Sequence, residues 1–383
     1  MSKNIITFFL SIYMIAFFLL YGCTSEKRID SSLIHIDLSG FIPEKEIKLE
    51  DIADIEYLQL ELDNDFLYNE PPMIITSEKI ITINWYNGDV LIFSRQGKPL
   101  SKFNHKGNGP EDYSFIGRII YDQKSDDFFV KSDNKIIVYS ASGEFKKTIQ
   151  LFEGSFFINE ILNFDSETFL LYDDFNIFSN AFLFISKEDG SVVDSVNMPK
   201  GKKNSILLSQ TVEKNVITLR APAYHIVKNN DEYLLTDFSI DTVYLLSSDK
   251  VLLPVLVRKP AIQSMDPVVY LNSYLEAGDF VFVSVITVKN ENGRLPITYL
   301  MNSKNTDSVY RQKITLTDYK GKLINLSPET IANTQDSKLG LIVLSLVELQ
   351  DANRENKISG KLKELVDNSD DDGNDIYMLL HFK

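Results

Sequence analysis

The sequence has little cysteine and none of the common catalytic motifs. Cys23 is its only cysteine, so the chain can form no internal disulfide and no cysteine-based metal site. It contains no His-Glu-x-x-His, Gly-x-Ser-x-Gly, Walker or Cys-x-x-Cys motif. These absences exclude the enzyme classes that such motifs mark. A catalytic site assembled from distant residues leaves no local motif and is not excluded.

Positive charge is also scarce. The 39 lysines and arginines stand against 54 aspartates and glutamates, which gives a net charge of −15. Residues 1–22 contain Lys3 as their only charged residue, so without them the count is 38 against 54 and the net charge is −16. An acidic surface argues against binding to nucleic acid and against adhesion to anionic lipid through a basic patch. We therefore predict no nucleic-acid partner.

The N-terminus predicts export and a lipid anchor. Lys3 precedes an apolar run, Ile5–Leu20, which is followed by Tyr21, Gly22 and Cys23. A small residue before a cysteine, directly after such a run, is what a lipoprotein signal peptidase recognises. An uncleaved anchor helix is the alternative, and both interpretations put the remaining chain outside the cytoplasm. The predicted organisation is a signal peptide at residues 1–22, a lipidated tether at residues 23–32 that begins with Cys23, and one folded domain at residues 33–383.

One short unit recurs along the chain, an apolar strand followed by a polar turn. Val90–Gly97 is matched by Ile136–Gly143, 46 positions later, and by Phe182–Gly190 after another 46. Looser copies start at Thr242, near Ile297 and at Ile376, which makes six units. A period of this length, with several strands in each repeat, is typical of a β-propeller.

The strand patterns support this fold. Segments such as Phe280–Val288 are apolar at successive positions, as expected for strands that are buried on both faces between neighbouring blades. Helical periodicity is scarce, and Ile358–Val366 predicts one short helix before the final strand. Leu339–Leu349 fits either a strand or a helix, and we predict a strand. The sequence therefore predicts an all-β, six-bladed β-propeller of four-stranded blades.

We also predict that the two ends of the chain close the ring. Ile55–Leu60 has the strand pattern expected of the segment that completes the blade containing Ile376–Phe382. Pairing of these two segments would cover sheet edges that are otherwise open.

Several stretches resemble known propeller sequences. Asp89–Leu151 resembles two NHL-type repeats, and Leu49–Leu60, Phe238–Tyr244 and Asn374–Lys383 are similar to the six-bladed β-propeller lipoproteins of Gram-negative outer membranes. The resemblance covers most of the chain. It implies an NHL-like propeller anchored by lipid to the outer membrane, on a periplasmic or surface face that it leaves undetermined. That family is largely without assigned function, so the resemblance implies almost nothing about chemistry.

The loop Gly107–Tyr113 departs from the Gly-Pro-Gly-Glu-Tyr pattern of that family, since Glu111 and Asp112 stand where Gly and Glu are usual. We predict a sharp turn between two blades here. Gly107 and Gly109 permit positive φ, and Pro110 fixes its own φ.

The candidate ligand-binding residues are Arg220, Tyr224 and His225. They lie on one short segment interrupted by Pro222, which we predict to be an inner strand at the mouth of the central channel. A guanidinium, a phenol and an imidazole together can bind a carboxylate or sugar hydroxyls. In the alternative interpretation, Tyr224 packs between blades and Arg220 pairs with a surface acid. No catalytic residue is assigned.

Metal sites receive little support from the sequence. The four histidines (His35, His105, His225 and His381) are not expected to converge, so we predict no zinc site. The acidic run Asp367–Asp375 matches the first half of an EF-hand, but Leu379 stands where that loop needs a glutamate, so we reject an EF-hand. A surface Ca²⁺ site is left open there. Asp173 and Asp174 are predicted to decorate a blade hairpin.

The functional prediction is a membrane-anchored binding or scaffold module outside the cytoplasm that needs no cofactor. Its expected partner is a protein or glycan at the cell envelope. The alternative is a propeller hydrolase or lyase with a channel-bound calcium held by side chains from several blades. Two or more carboxylates that meet at one point in the channel would favour the alternative.

Overall fold

The strands expected from the repeats are present. The structure, a computed structural model, describes residues 33–383 apart from residue 159 and residues 203–206, 213–214, 221–222 and 333–337. Cys23, the signal peptide and the tether lie outside the described residues and stay predictions. Within the described part of the chain, no helix has the length and apolarity needed to cross a membrane.

Three strands at the start of the described chain pair with strands that come much later in the sequence. They are β1 (Ile34–Asp37), β2 (Glu44–Lys48) and β3 (Ala53–Gln59), and the short helix α1 (Leu49–Ile52) lies between the last two.

Blades 1 to 3 are four-stranded antiparallel sheets whose strands follow one another in chain order. Blade 1 consists of β4 (Ile74–Ile75), β5 (Lys79–Asn84), β6 (Asp89–Ser94) and β7 (Pro99–Phe103). Blade 2 consists of β8 (Arg118–Asp122), β9 (Asp127–Ser132), β10 (Lys135–Ser140) and β11 (Phe145–Gln150). A 3₁₀ turn (Ser155–Phe157) leads to blade 3, which consists of β12 (Ile161–Asn163), β13 (Thr168–Tyr172), β14 (Phe182–Ser186) and β15 (Val192–Ser195).

Blades 4 and 5 carry additional strands. A separate hairpin, β16 (Leu207–Val212) and β17 (Asn215–Arg220), precedes blade 4. Blade 4 consists of β18 (Ile226–Asn229), β19 (Glu232–Leu235), β20 (Thr242–Leu246) and β21 (Leu252–Lys259), and β1 pairs with β21 in parallel. After a 3₁₀ turn (Ile262–Ser264), blade 5 consists of β22 (Val269–Ala277), β23 (Phe280–Thr287), β24 (Ile297–Ser303) and β25 (Ser308–Leu316). Both β2 and β26 (Tyr319–Ile324) pair with β25.

Blade 6 is built from both ends of the described chain. It follows helix α2 (Pro328–Ala332) and contains β27 (Leu339–Leu344), the helices α3 (Leu346–Arg354) and α4 (Gly360–Asp367), and β28 (Ile376–Phe382). The strand order is β27, β28, β3. The predicted all-β, six-bladed propeller is therefore confirmed, as is the short helix before the closing strand.

One secondary-structure prediction was wrong in part. Leu339–Leu349 forms a strand only as far as Leu344, and α3 begins at Leu346. Leu346, Leu349 and Ala352 are its buried residues, and this spacing of three places them on one face of a helix. A strand would send Leu346 and Leu349 to opposite faces, so the helix buries them together.

The strands are apolar at successive positions because both faces of a blade are covered. All six residues of β9 are buried. Phe128 and Val130 belong to a hydrophobic cluster shared with blade 1, whereas Phe129 belongs to one shared with blade 3. Alternate side chains of a strand point to opposite faces, so a sheet between two others needs apolar residues at every position.

The predicted ring closure is confirmed. The strand β28 pairs antiparallel with β3, with Ile376 opposite Gln59 and Phe382 opposite Ala53, and on its other side with β27. All residues from Ile376 to Leu380 are buried. The C-terminal strand is thus the centre of blade 6, and it joins the last blade to the first strands of the domain.

The Gly107–Tyr113 loop makes the predicted turn from blade 1 to blade 2, but its glycines are needed for a different reason. Neither Gly107 nor Gly109 has a positive φ. A Cβ at Gly107 would lie 2.3 Å from Oδ2 of Asp112, the oxygen that accepts the backbone N–H of Gly109 at 2.8 Å. The glycines leave space for this carboxylate, so close approach and not backbone conformation selects them.

Candidate functional site

A cavity of about 1300 Å³ follows the first strands of blades 2, 3 and 4. Arg118 and Glu160 line it at the beginning of β8 and β12, and Asp122 and Asn163 line it at the ends of the same strands. The first strand of each propeller blade borders the central channel, so this part of the cavity lies at the channel, and its lining by Lys146 and Lys147 of β11 shows that it also extends towards the outer strands of blade 2. We call the part at the N-terminal ends of β8 and β12 the mouth.

The structure brings Arg220, Tyr224 and His225 to this one cavity. They do not share an inner strand, which corrects the prediction. Arg220 ends β17 of the separate hairpin, whereas Tyr224 and His225 directly precede β18. The sequence shows no sign that a hairpin is inserted between blades 3 and 4, and Pro222 lies outside the described residues. Contact of the three residues with a ligand stays a prediction.

Arg220 forms an ion pair at the mouth. One of its guanidinium nitrogens lies 2.7 Å from Oδ2 of Asp174, and the arginine side chain is 59% exposed. Asp174 lies in the hairpin between β13 and β14, as predicted, but its side chain is only 11% exposed. Burial raises the pKa of Asp174, and the charges of Arg220 and His225 oppose that rise. The pair holds the arginine at the edge of the cavity, where it still reaches solvent.

His225 connects blades 3 and 4. Its Nδ1 lies 2.9 Å from Oε2 of Glu160, and Oε1 of Glu160 accepts the backbone N–H of Ile226 at 2.6 Å. The imidazole stacks on Tyr172 with ring centroids 3.8 Å apart and planes inclined by 9°. It is almost inaccessible, and among the described residues Nε2 has no hydrogen-bond partner. The main observed role of His225 is therefore to position Glu160 at the mouth.

Tyr224 is partly buried, so it fits neither a purely packed residue nor a fully exposed ligand contact. Its ring packs against the largest hydrophobic cluster and also lines the cavity. Burial raises the pKa of its phenol, and the nearby carboxylates of Glu329 and Glu160 raise it further. The phenol therefore stays protonated near neutral pH and acts as a hydrogen-bond donor.

Sequence reasoning missed Arg118, which begins β8 and lines the same cavity. Its guanidinium forms no hydrogen bond or ion pair within the described part of the chain, and the ionisable groups that influence it are Glu160 and Tyr224. Burial lowers the pKa of Arg118. A signal was available, because a charged residue begins an inner strand that continues with Ile119 and Ile120.

Three exposed phenylalanines lie beside the mouth, and we call Phe156, Phe157 and Phe175 the phenylalanine shelf. They are 42%, 62% and 49% exposed. The ring of Phe157 lies 4.7 Å from that of Phe156 and 5.8 Å from that of Phe175, measured between centroids. Phe157 also lines the cavity. Clustered exposed aromatic rings next to charged groups are typical of binding surfaces.

Two of the other histidines, and the acidic run, have structural partners. His105 stacks on Tyr139, and its Nε2 lies 2.7 Å from the carbonyl oxygen of Gly143. His381 pairs with Glu56, and Asp375 accepts the backbone N–H of Leu346. Within the described residues, no three His, Cys, Asp or Glu side chains are grouped as metal ligands. The Ca²⁺ site left open by the sequence has no described ligand set.

A solved structure of another protein has a similar overall fold. A protein from Bacteroides fragilis NCTC 9343, named for its inferred export, matches with a TM-score of 0.65 and 15% identity over 92% of this chain and 100% of that chain. The N-terminal domain of Nup159 gives a TM-score of 0.38 at 10% identity, over 83% of this chain and 78% of that chain. At such identities the similarity concerns the fold alone. Among curated proteins, none matches this sequence.

A family model matches almost the whole propeller. It covers residues 33–381, from the residue before β1 to the penultimate residue of β28. The matched segment therefore contains all six blades and every residue of the cavity mouth. The chain belongs to the family described as "Domain of unknown function (DUF4934)".

Proposed function

We propose that this protein is a non-enzymatic binding module displayed outside the cytoplasm, and that the mouth of the channel cavity is its ligand site. The observation that carries this proposal is the convergence of Arg118, Glu160, Arg220 and Tyr224 on one open cavity beside the phenylalanine shelf. Binding needs a few well-placed polar groups over an apolar wall, and the mouth has both. The expected ligand belongs to a protein or glycan of the cell envelope.

The hydrolase or lyase alternative is less well supported by the same residues. Glu160 and Asp174 line the cavity at the mouth, and each already has a partner, His225 and Arg220 respectively. A calcium ion would have to replace both of these interactions. Catalysis would in addition require a positioned nucleophile or base with access to the ligand, and Nε2 of His225 is buried.

The proposed anchor can be tested at Cys23. Acyl chains hold a protein at a membrane through their buried methylene groups, so the protein should fractionate with outer membranes. The variant C23A should remain unprocessed or appear in the soluble fraction, whereas S25A, two residues further along, should behave as the wild type does. Mass spectrometry should find the mature N-terminus at an acylated Cys23. An unmodified thiol with a mature N-terminus elsewhere would contradict the anchor.

The proposed ligand site can be tested at Arg220. Asp174 is largely buried and loses its cation in R220A, so the free energy of unfolding should fall by about 1–3 kcal/mol although the arginine itself is mostly exposed. Binding to a panel of envelope glycans and peptides should weaken about tenfold or more in R220A, because a charge-assisted hydrogen bond is lost.

The matched control for that experiment is R354A, because Arg354 is also an exposed, ion-paired arginine and lies on α3. Its binding should equal that of the wild type. Equal binding by R220A, or no binding of any panel member by the wild type, would contradict the proposed site.

A further inference from the structure

Arg118 is the residue of the mouth whose charge is least compensated. Its five N–H donors have no hydrogen-bond acceptor among the described residues, although burial is sufficient to lower its pKa. The side chain is only partly buried, so its guanidinium reaches the cavity, and its planar fork is suited to a carboxylate. Arg118 is therefore a cation that is available to bind an anionic ligand.

A second cation lies behind it. Lys131 is directly opposite Arg118 in the ladder between β9 and β8, so both side chains lie on the same face of blade 2. This face is turned towards blade 3, because Ile120 and Phe129 on the same face pack there. Lys131 is 1% exposed, and its Nζ donates to the backbone carbonyl oxygen of Asp133 and not to a carboxylate. This face therefore carries two cations, of which Lys131 is influenced by the carboxylate of Asp133 and Arg118 by that of Glu160.

The acids around the mouth do not remove this imbalance. Both carboxylate oxygens of Glu160 are occupied, one by His225 and one by the backbone N–H of Ile226. Asp174 pairs with Arg220. Arg118 feels the charge of Glu160 at longer range but forms no ion pair with it. An incoming carboxylate would thus compete with no carboxylate that is bound to Arg118.

Phe115 connects the phenylalanine shelf to the segment that leads into Arg118. Phe115, three residues before Arg118, contacts Phe156 with ring centroids 5.9 Å apart. Phe157 and Arg118 line the same cavity. A ligand with its anionic end on Arg118 therefore has an aromatic surface beside it, on which an apolar group loses contact with water.

We propose that the mouth binds ligands in which a carboxylate is attached to an apolar group, with the carboxylate on Arg118 and the apolar group on the phenylalanine shelf. This assignment rests on the binding function proposed above and names its ligand class. Two sources offer this chemistry, the C-terminus of a peptide that ends in an apolar residue and an alkyl carboxylate.

The test compares acids with their amides by calorimetric titration of the full-length protein. N-acetyl-L-phenylalanine and its amide represent the peptide terminus, and octanoate and octanamide represent the alkyl source. In at least one pair the acid should bind the wild type at least tenfold more tightly than the amide. The pair that shows the preference identifies the source.

Variants of Arg118 then locate the carboxylate. R118Q should abolish the preference for the acid, and R118K should retain part of it, because lysine keeps the charge but loses the bidentate fork. F157A should weaken the acid and the amide by the same factor. F41A is the matched control, since Phe41 is 93% exposed and lies outside the cavity lining, and it should change neither affinity.

Three results would overturn the assignment. The first is equal or absent binding of acid and amide in both pairs. The second is an acid preference that survives R118Q. The third is a preference that R118K or R118Q loses only together with a melting temperature more than about 5 °C lower and with an equal loss of amide binding, which is the behaviour of a structural arginine. If panel ligands bind and R220A abolishes their binding, but no acid is preferred to its amide, the proposed ligand site stands and only the carboxylate assignment fails.

Discussion

Deletion of residues 374–383 is expected to abolish cooperative folding of the propeller. The deletion removes β28, which is the central strand of blade 6 and pairs with β27 on one side and β3 on the other. It also removes five consecutive buried residues, Ile376–Leu380. Each fully buried apolar side chain stabilises the folded state by about 1.5–3 kcal/mol, so the loss is comparable with the whole stability of a typical domain.

The measurement is thermal unfolding followed by circular dichroism. We expect no cooperative transition in the truncated chain, or one that begins far below that of the full-length protein. A trimmed terminal tail would shift the midpoint little, because terminal residues usually make few contacts. A midpoint within about two degrees of the full-length value would show that the closing strand contributes little, against the pairing seen here.

A pair of point variants provides the matched control. Leu379 in β28 is fully buried, and L379A should lower the free energy of unfolding by about 2–5 kcal/mol. Val343 lies in the neighbouring strand β27 and is 40% exposed, so V343A should cost less than about 1 kcal/mol. Similar losses in the two variants would mean that burial in blade 6 does not decide stability.

The sequence was sufficient for the fold because each blade repeats the same physical constraints. Strands β6, β10 and β14 recur 46 positions apart, and each runs into a hairpin glycine at position 97, 143 or 190 with φ near +80°. A strand covered on both faces must be apolar throughout, and a closed ring needs its two ends to pair. Both requirements leave visible patterns, so the six blades and the closure could be predicted.

The site was predictable only in part, because its contacts join residues that no pattern connects. Arg220 and Asp174 meet although they belong to a separate hairpin and to the loop after β13. Asp174 looks like a hairpin residue in sequence, and only the inserted hairpin brings a cation to it. Arg118 carries a charge in an apolar strand, but its isolation depends on Glu160 being occupied by His225, which the sequence does not reveal.

The second large effect is expected at Lys131, where removing a buried charge should stabilise the protein. Burial lowers the pKa of this lysine from 10.5 to about 8. Such a shift means that the folded state holds the proton less tightly than the unfolded state does. Each pKa unit corresponds to 1.36 kcal/mol, so near neutral pH the charged lysine destabilises the folded state by about 3 kcal/mol.

The sign of the pH dependence follows from the same shift. Between pH 8 and 10.5 the unfolded chain carries the proton on Lys131 and the folded protein does not. Stability contributed by this group therefore rises as the pH increases through that range, and the full penalty applies below pH 8. Tyrosines whose pKa is raised by burial, such as Tyr113, act in the opposite sense at higher pH, so the lysine is best isolated by comparing variants.

K131M keeps the apolar stem of the side chain and removes the charge. Urea unfolding at pH 7, 8, 9 and 10 should show K131M to be more stable than the wild type by about 3 kcal/mol at pH 7, with the difference shrinking as the pH approaches 10.5. The control is K146M, because Lys146 lies on β11 of the same blade, is 46% exposed and is paired with Asp127, so removing its charge should not stabilise the protein. A K131M variant that is less stable than the wild type at pH 7 would mean that the bond from Nζ to Asp133 outweighs the cost of burying the charge.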